Sequence, residues 1–300
     1  MKVGLIGIDS IKEEKKIEII HQSLKNNLFG IFSPHLEEIH IFAKKYDMDV
    51  YSSVNELLHD ADAIYFANSL KPNFDFAIQA LKKSCHVFIE NIYELSMEEI
   101  KQLYKLAFEA GALLVIKETI LFTPEFKVIS EEIYEPKIVE LDYQYNRVLR
   151  KQDYFHEVSE AVRAVSACIQ ARIKKVNTTT VRIEQNLISF VLIFLEFDNG
   201  AMAKIKFNNL SQRNDKKIEI YETSDFMEVN FNKHNAYKHS YINGHIESSE
   251  LKLPQFDALQ SEFKNFLTQS KNIKTLNISE SPEILQDIQA TLQIMQKIYN

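Results

Sequence analysis

The chain has 300 residues, 45% of them hydrophobic, which is enough to bury a sizeable core and more than one domain of typical size needs. A formal net charge of -7, with Lys and Arg scattered among Asp and Glu, supplies no basic stripe for nucleic acid or anionic lipid. Cys85 and Cys168 stand alone in apolar surroundings, so a disulfide framework is excluded and a reducing, cytoplasmic setting is expected. MKVGLIGIDS does not read as a secretory signal, and the apolar run Phe190 to Leu195 is too short to span a bilayer.

Through the first 120 residues or so, short β-branched runs alternate with helical periodicity, the pattern of strand-helix-strand units on a parallel sheet. Strands are expected at Lys2-Ile8, Leu28-Ser33, Ala63-Ala67, His86-Glu90 and Ala112-Lys117. Helix signals lie between them: Pro72 suits a first turn, Ser96 with Glu99 makes a capping box, and Gly111 suits a helix end. After Pro124 the pattern changes. Lys137-Val148 alternates, Leu187-Phe197 is a long apolar strand, and Asp198-Asn199-Gly200 turns into Ala201-Phe207. Further strands are expected at Lys217-Tyr221, Met227-Phe231, His239-Ile242 and His245-Leu251, with Asn243-Gly244 as a tight turn before the last. A helix from about Phe155 to Arg172 interrupts the strands, and two helices close the chain, the last entered through Ser281-Pro282-Glu283. The fold class is α/β: a doubly wound parallel sheet over residues 1–122, then an α+β domain over 123–300 with a large, mostly antiparallel sheet.

The phrases VGLIG, GIFSPHLEEIHIFAKKY, DADAIYFAN, AIQALKKSCHVFIEN, IEIYETSDFMEVN and FDALQSEFKNFL, in this order and spacing, resemble the Gfo/Idh/MocA family of NAD(P)-dependent oxidoreductases over nearly the whole chain. The resemblance implies a Rossmann-type first domain that binds NAD or NADP, and a homodimer formed through the open face of the second domain's sheet. The alternation in Leu187-Phe197 and Ala201-Phe207 suits burial of that face.

The phosphate loop reads Gly7-Ile8-Asp9-Ser10-Ile11-Lys12. Gly7 matches the first glycine of the fingerprint, whereas Asp9 and Lys12 stand at the second and third. Asp9 would repel a diphosphate at the point of closest approach; Lys12 could offset that charge if its stem turned back. Ser10 and Glu13 also form a capping box, which satisfies the helix start without any ligand. At the second strand end an acidic residue would select NAD through its ribose, but Ser33-Pro34-His35 stands there, which tolerates a 2′-phosphate; Ser33 as a helix cap is the alternative. The resemblance also places Ala67, Asn68 and Glu90 near the cofactor.

In most members the strand corresponding to His86-Glu90 ends Glu-Lys-Pro, and the lysine donates or accepts the proton at the hydroxyl or carbonyl being oxidised or reduced. Here the strand ends Glu90-Asn91-Ile92, and an amide exchanges no proton near neutral pH, so Asn91 is expected to contact substrate or cofactor rather than act as the acid. Lys117, at the next strand end, is a replacement amine, with an exposed Lys117-Glu118 ion pair as the alternative. Tyr93 is a further candidate, since the biliverdin reductase branch also departs from lysine here. His156 aligns with a family histidine, although Gln152 and Tyr154 replace the aspartate and glycine that accompany it. Asp153 or Glu160, one turn away on either side, could orient its imidazole, or the segment could be a surface helix of mixed charge. No histidine or cysteine spacing suits a metal.

Two functions follow: an oxidoreductase acting on a small polar molecule such as a sugar or cyclitol derivative, or a binding or regulatory homologue that keeps the fold without the chemistry, a pseudoenzyme. Only six glycines in 300 residues favour the second, and a family's ability to change its acid while keeping hydride transfer favours the first.

Overall fold

The computed structural model describes residues 1–8, 14–24, 28–33, 36–69, 71–183, 187–272 and 282–300. Asp9, Ser10, Ile11, Lys12, Glu13, Pro34, His35 and Ser281, named above, lie outside the described residues, and with them the Ser10-Glu13 capping box. The chain forms two compact units, Met1–Lys117 with Leu259–Pro282, and Glu118–Ala258 with Glu283–Asn300.

The first unit is built on strands β1 (Val3–Ile6), β2 (Leu28–Phe32), β3 (Asp49–Val50), β4 (Ala63–Ser69), β5 (His86–Asn91) and β6 (Leu114–Ile116), in the order β3-β2-β1-β4-β5-β6. Every pairing is parallel. Between them run helices α1 (Glu14–Leu24), α2 (Leu36–Lys45), α3 (Val54–Asp60), α4 (Phe74–Lys82) and α5 (Met97–Ala110). The strands are apolar without alternation, as a sheet covered on both faces requires: all four residues of β1 are buried, and so are Val87, Phe88 and Ile89 of β5. The capping box of α5 forms as expected, and Gly111 ends that helix at φ +61°. Pro72 sits in a 3-10 turn just before α4 rather than inside the helix. The core of this unit is completed from far along the chain by α8 (Ala258–Lys271), whose Phe263 and Phe266 meet the ring of Phe88 edge-on, with centroids 5.9 and 5.5 Å away.

The second unit holds α6 (Pro124–Glu132), β7 (Ile138–Gln144), α7 (Lys151–Ile169) and β8 (Ile173–Arg182), followed by β9 (Ile188–Phe197), β10 (Met202–Asn208), β11 (Asp215–Tyr221), β12 (Asp225–Asn230), β13 (Asn235–Ile242), β14 (His245–Leu251) and α9 (Pro282–Tyr299). Its eight strands run in the order β14-β13-β12-β11-β7-β10-β9-β8, and all pair antiparallel except β7 with β10. Alternation sorts the residues by face: Val139, Leu141 and Tyr143 of β7 are buried, as are Val191, Ile193 and Leu195 of β9, and α7 lies against β7 with Tyr154, Val158 and Val162 buried. On the opposite face Phe194 and Met202 are 44% and 49% exposed beside ion pairs Lys204–Glu140 at 2.6 Å and Lys206–Asp142. At the β13–β14 turn Asn243 and Gly244 both have positive φ, 52° and 85°, as a tight hairpin of the expected kind needs. Among the described residues no helix is long and apolar enough to cross a membrane.

Candidate functional site

The first unit's strand order reverses between β1 and β4, and an open parallel sheet offers a ligand crevice outside the carboxyl ends of its strands at such a point. Gly7 follows β1 at φ +85°, a conformation that a side chain would strain, so the chain turns here as a nucleotide-binding loop must. Ile8 and Ala67 are buried beside it, and Ser33, immediately after β2, is 1% exposed.

One carboxylate draws this edge together. Glu90, at the end of β5, has a side chain only 8% exposed. Lys16 of α1 donates from Nζ to its Oε2 at 2.6 Å and to the carbonyl oxygen of Ala67 at 3.2 Å. The Tyr65 hydroxyl donates to Oε1, and Lys117 Nζ lies 4.0 Å from the same oxygen. Tyr65 is held by packing, its ring stacked 5.0 Å from that of Phe88. Elements α1, β4, β5 and the end of β6 therefore converge on a single, mostly buried acid, to which the Lys16 ammonium and the Tyr65 hydroxyl both donate. The residues fit a dinucleotide: a glycine with positive φ follows β1, and a mostly buried carboxylate with two lysines beside it stands at the ends of the neighbouring strands.

The exposed Lys117-Glu118 ion pair does not form. Lys117 is 22% exposed and faces Glu90, whereas Glu118 accepts from Nη2 of Arg163 at 3.1 Å. Asn91 makes a local contact, accepting the Tyr93 backbone N–H at 2.7 Å on Oδ1, while Ile92 is buried and Glu94 turns at φ +70°. The amide side chain thus shapes the turn that follows the strand. Asn68 lies in β4, next to Ala67. Sequence reasoning missed Lys16 and Tyr65. Lys16 stands next to Ile17 at the edge of the buried Ile17-Ile20-Leu24 stripe of α1, a position from which a long side chain reaches the sheet's end.

In the second unit His156 lies on α7 and is exposed. The two carboxylates proposed to orient it are engaged elsewhere. Asp153 accepts from the backbone and guanidinium of Arg150 at 3.1 and 3.2 Å, which lowers its pKa, and Glu160 pairs with Lys216. Lys216 is 20% exposed, lies between the rings of Tyr143 and Phe231 at 4.9 and 5.3 Å, and is pushed down to about 8 by burial. A cavity of 690 Å3 also opens in this unit, where Glu125, buried, meets Nδ1 of His234 at 2.7 Å. Cys85 and Cys168 are both buried and free, and burial pushes both thiols up. No group of three or more metal-ligating side chains occurs among the described residues.

Residues 1–118 match the model of a family described as an oxidoreductase family with an NAD-binding Rossmann fold. No curated protein matches the sequence. Among solved structures, UDP-N-acetylglucosamine 3-dehydrogenase GnnA from Acidithiobacillus ferrooxidans superposes with a TM-score of 0.84 at 18% identity, covering 99% of this chain and 97% of its own. A mutant of KijD10, a 3-ketoreductase from Actinomadura kijaniata in complex with TDP-benzene and NADP, gives 0.78 at 16% identity over 100% and 96%. Biliverdin reductase from Synechocystis sp. PCC 6803 gives 0.77 at 14% over 100% and 99%. At these identities the likeness is one of fold.

Proposed function

We propose that this chain, whose first 118 residues match the Gfo/Idh/MocA family model, is an NAD(P)-dependent oxidoreductase of that family acting on a small polar substrate such as a sugar or cyclitol derivative. The observation that carries this reading is the convergence of Lys16, Tyr65 and Lys117 on Glu90 at the carboxyl edge of the parallel sheet. A bound nicotinamide would supply the hydride chemistry. Gly7, Ile8 and Ser33 line its approach, Ala67, Asn68 and Glu90 stand at the ring end, and Asp9, Ser10 and His35 complete the set proposed from sequence.

The chain's own task is to manage the proton that accompanies hydride transfer. Lys117 is the amine proposed for it at the substrate oxygen, held toward the crevice by Glu90 in place of the missing family lysine, and His156 is a second proton carrier on α7. Asn91 is kept as a contact that orients substrate or cofactor. Names of similar structures support a nucleotide-linked or free sugar as the first substrates to try, since GnnA acts on UDP-N-acetylglucosamine and the KijD10 mutant holds a TDP compound.

A homodimer through the outer face of the eight-stranded sheet is part of this proposal. The half-exposed Phe194 and Met202 favour it, and sedimentation of the purified protein tests it. The free, buried cysteines favour a cytoplasmic setting. A second reading, a homologue that binds but does not catalyse, is favoured by the use of Asn91 as a turn former. Titration with NADH and NADPH, followed by nicotinamide fluorescence and by the shift in melting temperature, separates these readings from a chain that binds no dinucleotide. Micromolar binding with turnover supports the enzyme, and micromolar binding without turnover on any sugar or cyclitol tried supports the second reading. Lack of binding at millimolar concentration refutes the oxidoreductase and leaves a homologue that keeps the fold without the chemistry.

A further inference from the structure

The cavity of the second unit is walled by the start of α6, the β12–β13 turn and the segment 250–256 that leaves β14. Glu125, in the first turn of α6, has a side chain only 3% exposed, and its Oε1 meets Nδ1 of His234 at 2.7 Å. A carboxylate accepts, so Nδ1 carries the hydrogen and the neutral ring presents a lone pair at Nε2. His234 is 76% exposed and turns at φ +53°, a conformation uncommon for residues other than glycine. The turn is fixed by the buried Asn230, whose Oδ1 accepts the N–H groups of Asn232 and Lys233 at 3.0 and 2.8 Å and whose Nδ2 donates to Asp215 at 2.8 Å. An imidazole is thus held at a cavity by a rigid turn on one side and a buried acid on the other, an arrangement that surface packing alone does not call for.

The remaining lining decides what such a site would accept. Pro124, Pro254 and Phe256 give apolar walls, and Glu250, Lys252 and Gln255 give polar groups between them. Glu250 opposes an anion and Lys252 opposes a cation, so a molecule of either charge meets a like charge in the lining. A neutral molecule rich in hydroxyls meets neither. Its O–H groups donate to His234 Nε2 and to Glu250, its oxygens accept from Lys252 and Gln255, and the C–H faces of a ring lie against the proline and phenylalanine walls. The volume of 690 Å3 is in the range of small-molecule sites.

We propose that this cavity is a binding site for a small, neutral, polyhydroxylated ring, anchored by a hydrogen bond to His234 Nε2. Glu125 is a positioning residue: too deeply buried to meet the ligand, it fixes the tautomer and direction of the imidazole. The inference stands apart from the dinucleotide reading, because every residue of the lining belongs to the second unit. Losing the anchoring hydrogen bond weakens binding on the order of tenfold.

The experiment is calorimetric titration of the full chain, without nucleotide, with myo-inositol, D-glucose and N-acetylglucosamine, and with inorganic phosphate and methylammonium as charged probes. At least one neutral ring is expected to bind with a millimolar Kd, and both charged probes more weakly. His234→Asn removes the imidazole but keeps a residue that tolerates positive φ; it should weaken binding about tenfold, with circular dichroism to check that the fold is kept. Glu125→Gln should weaken binding less, and nitrogen NMR of the imidazole should show that the preference for hydrogen on Nδ1 is lost, a signature that a purely structural role would not move. If either variant fails to fold, the same NMR on the wild type decides: a shift of the His234 Nε2 resonance on adding the ring supports the site, and none overturns it. No binding of any neutral ring at tens of millimolar, an unchanged Kd in His234→Asn, or tighter binding of a charged probe also overturns the inference. NADH titrated beside these ligands reports on the first unit, so the two readings fail separately.

Discussion

Replacing Arg163 by Met should destabilise the second unit in a way that depends on pH. Arg163 lies on α7, 19% exposed, and its guanidinium donates from Nη1 to Asp287 of α9 at 2.7 Å and from Nη2 to Glu118 at 3.1 Å. Ser166 holds the other oxygen of Asp287 at 2.7 Å. Met fills similar space but leaves two carboxylates, 16% and 5% exposed, without their cation. Breaking a buried ion pair from one side costs about 3–5 kcal/mol, which for a unit of this size lowers Tm by roughly 6 to 20 °C. Burial already raises the carboxyls of Glu118 and Asp287 above their ordinary values of 4.5 and 3.8. The folded state therefore binds protons that the unfolded state releases, and stability falls as pH rises from those values through the folded pKa. Without Arg163 both carboxyls rise further, so the gap between wild type and variant should widen from pH 5 to pH 8 and narrow below pH 5. Urea unfolding followed by circular dichroism at pH 4.5, 6 and 8 measures it. Adding Glu118→Gln and Asp287→Asn to the variant should recover most of the loss at pH 8. A loss below about 1 kcal/mol, or one equal at all three pH values, would refute the account of Arg163 as the counter-ion of both acids.

Other perturbations test separate parts of the molecule. His156→Ala should remove turnover on whichever substrate is found, and an unchanged kcat excludes His156 as a proton carrier. Gly111→Ala should cost about 1 kcal/mol by denaturant unfolding, since φ there is +61° and a methyl would meet nothing within 4 Å, so backbone strain alone sets the loss; a neutral result would show that the turn relaxes. Lys216 has its pKa lowered from 10.5 to about 8, so the unfolded state binds the extra proton between those values and stability from this site rises with pH across that window. Relative to Lys216→Met, the wild type should gain stability between pH 8 and pH 10.5, and a constant difference would contradict the burial of a charged amine.

Local rules carried much of the fold. The capping box of Ser96 and Glu99, the stop at Gly111 and the Asn243-Gly244 hairpin depend on residues a few positions apart, and each forms as its chemistry dictates. Strands with a clear apolar period, such as β7 and β9, are equally plain. β8 was missed because its Lys, Asn and Thr residues carry little apolar signal, and β3 because two residues have no period. The site was legible only by position along the chain. Glu90 and Lys117 stand where strand ends must meet, but the reach of Lys16 across 74 residues to Glu90 and the pairing of Glu160 with Lys216 are settled by tertiary packing that no local pattern encodes, whereas Asp153 is held by Arg150 only three positions before it.

The placement of α8 has a consequence for how the protein is made. Phe263 and Phe266 fill the first unit against Phe88 and Tyr65, yet they are synthesised well over a hundred residues after β6. At ribosomal rates of 5–20 residues per second the parallel sheet waits on the order of ten seconds or more with an aromatic face open to solvent. The nascent first unit thus lacks the cover of its Phe88 face until α8 emerges. The span 1–118, which matches the family model, is for the same reason a poor fragment to express: cut there, the sheet would keep its strands and lose the helix that covers Phe88.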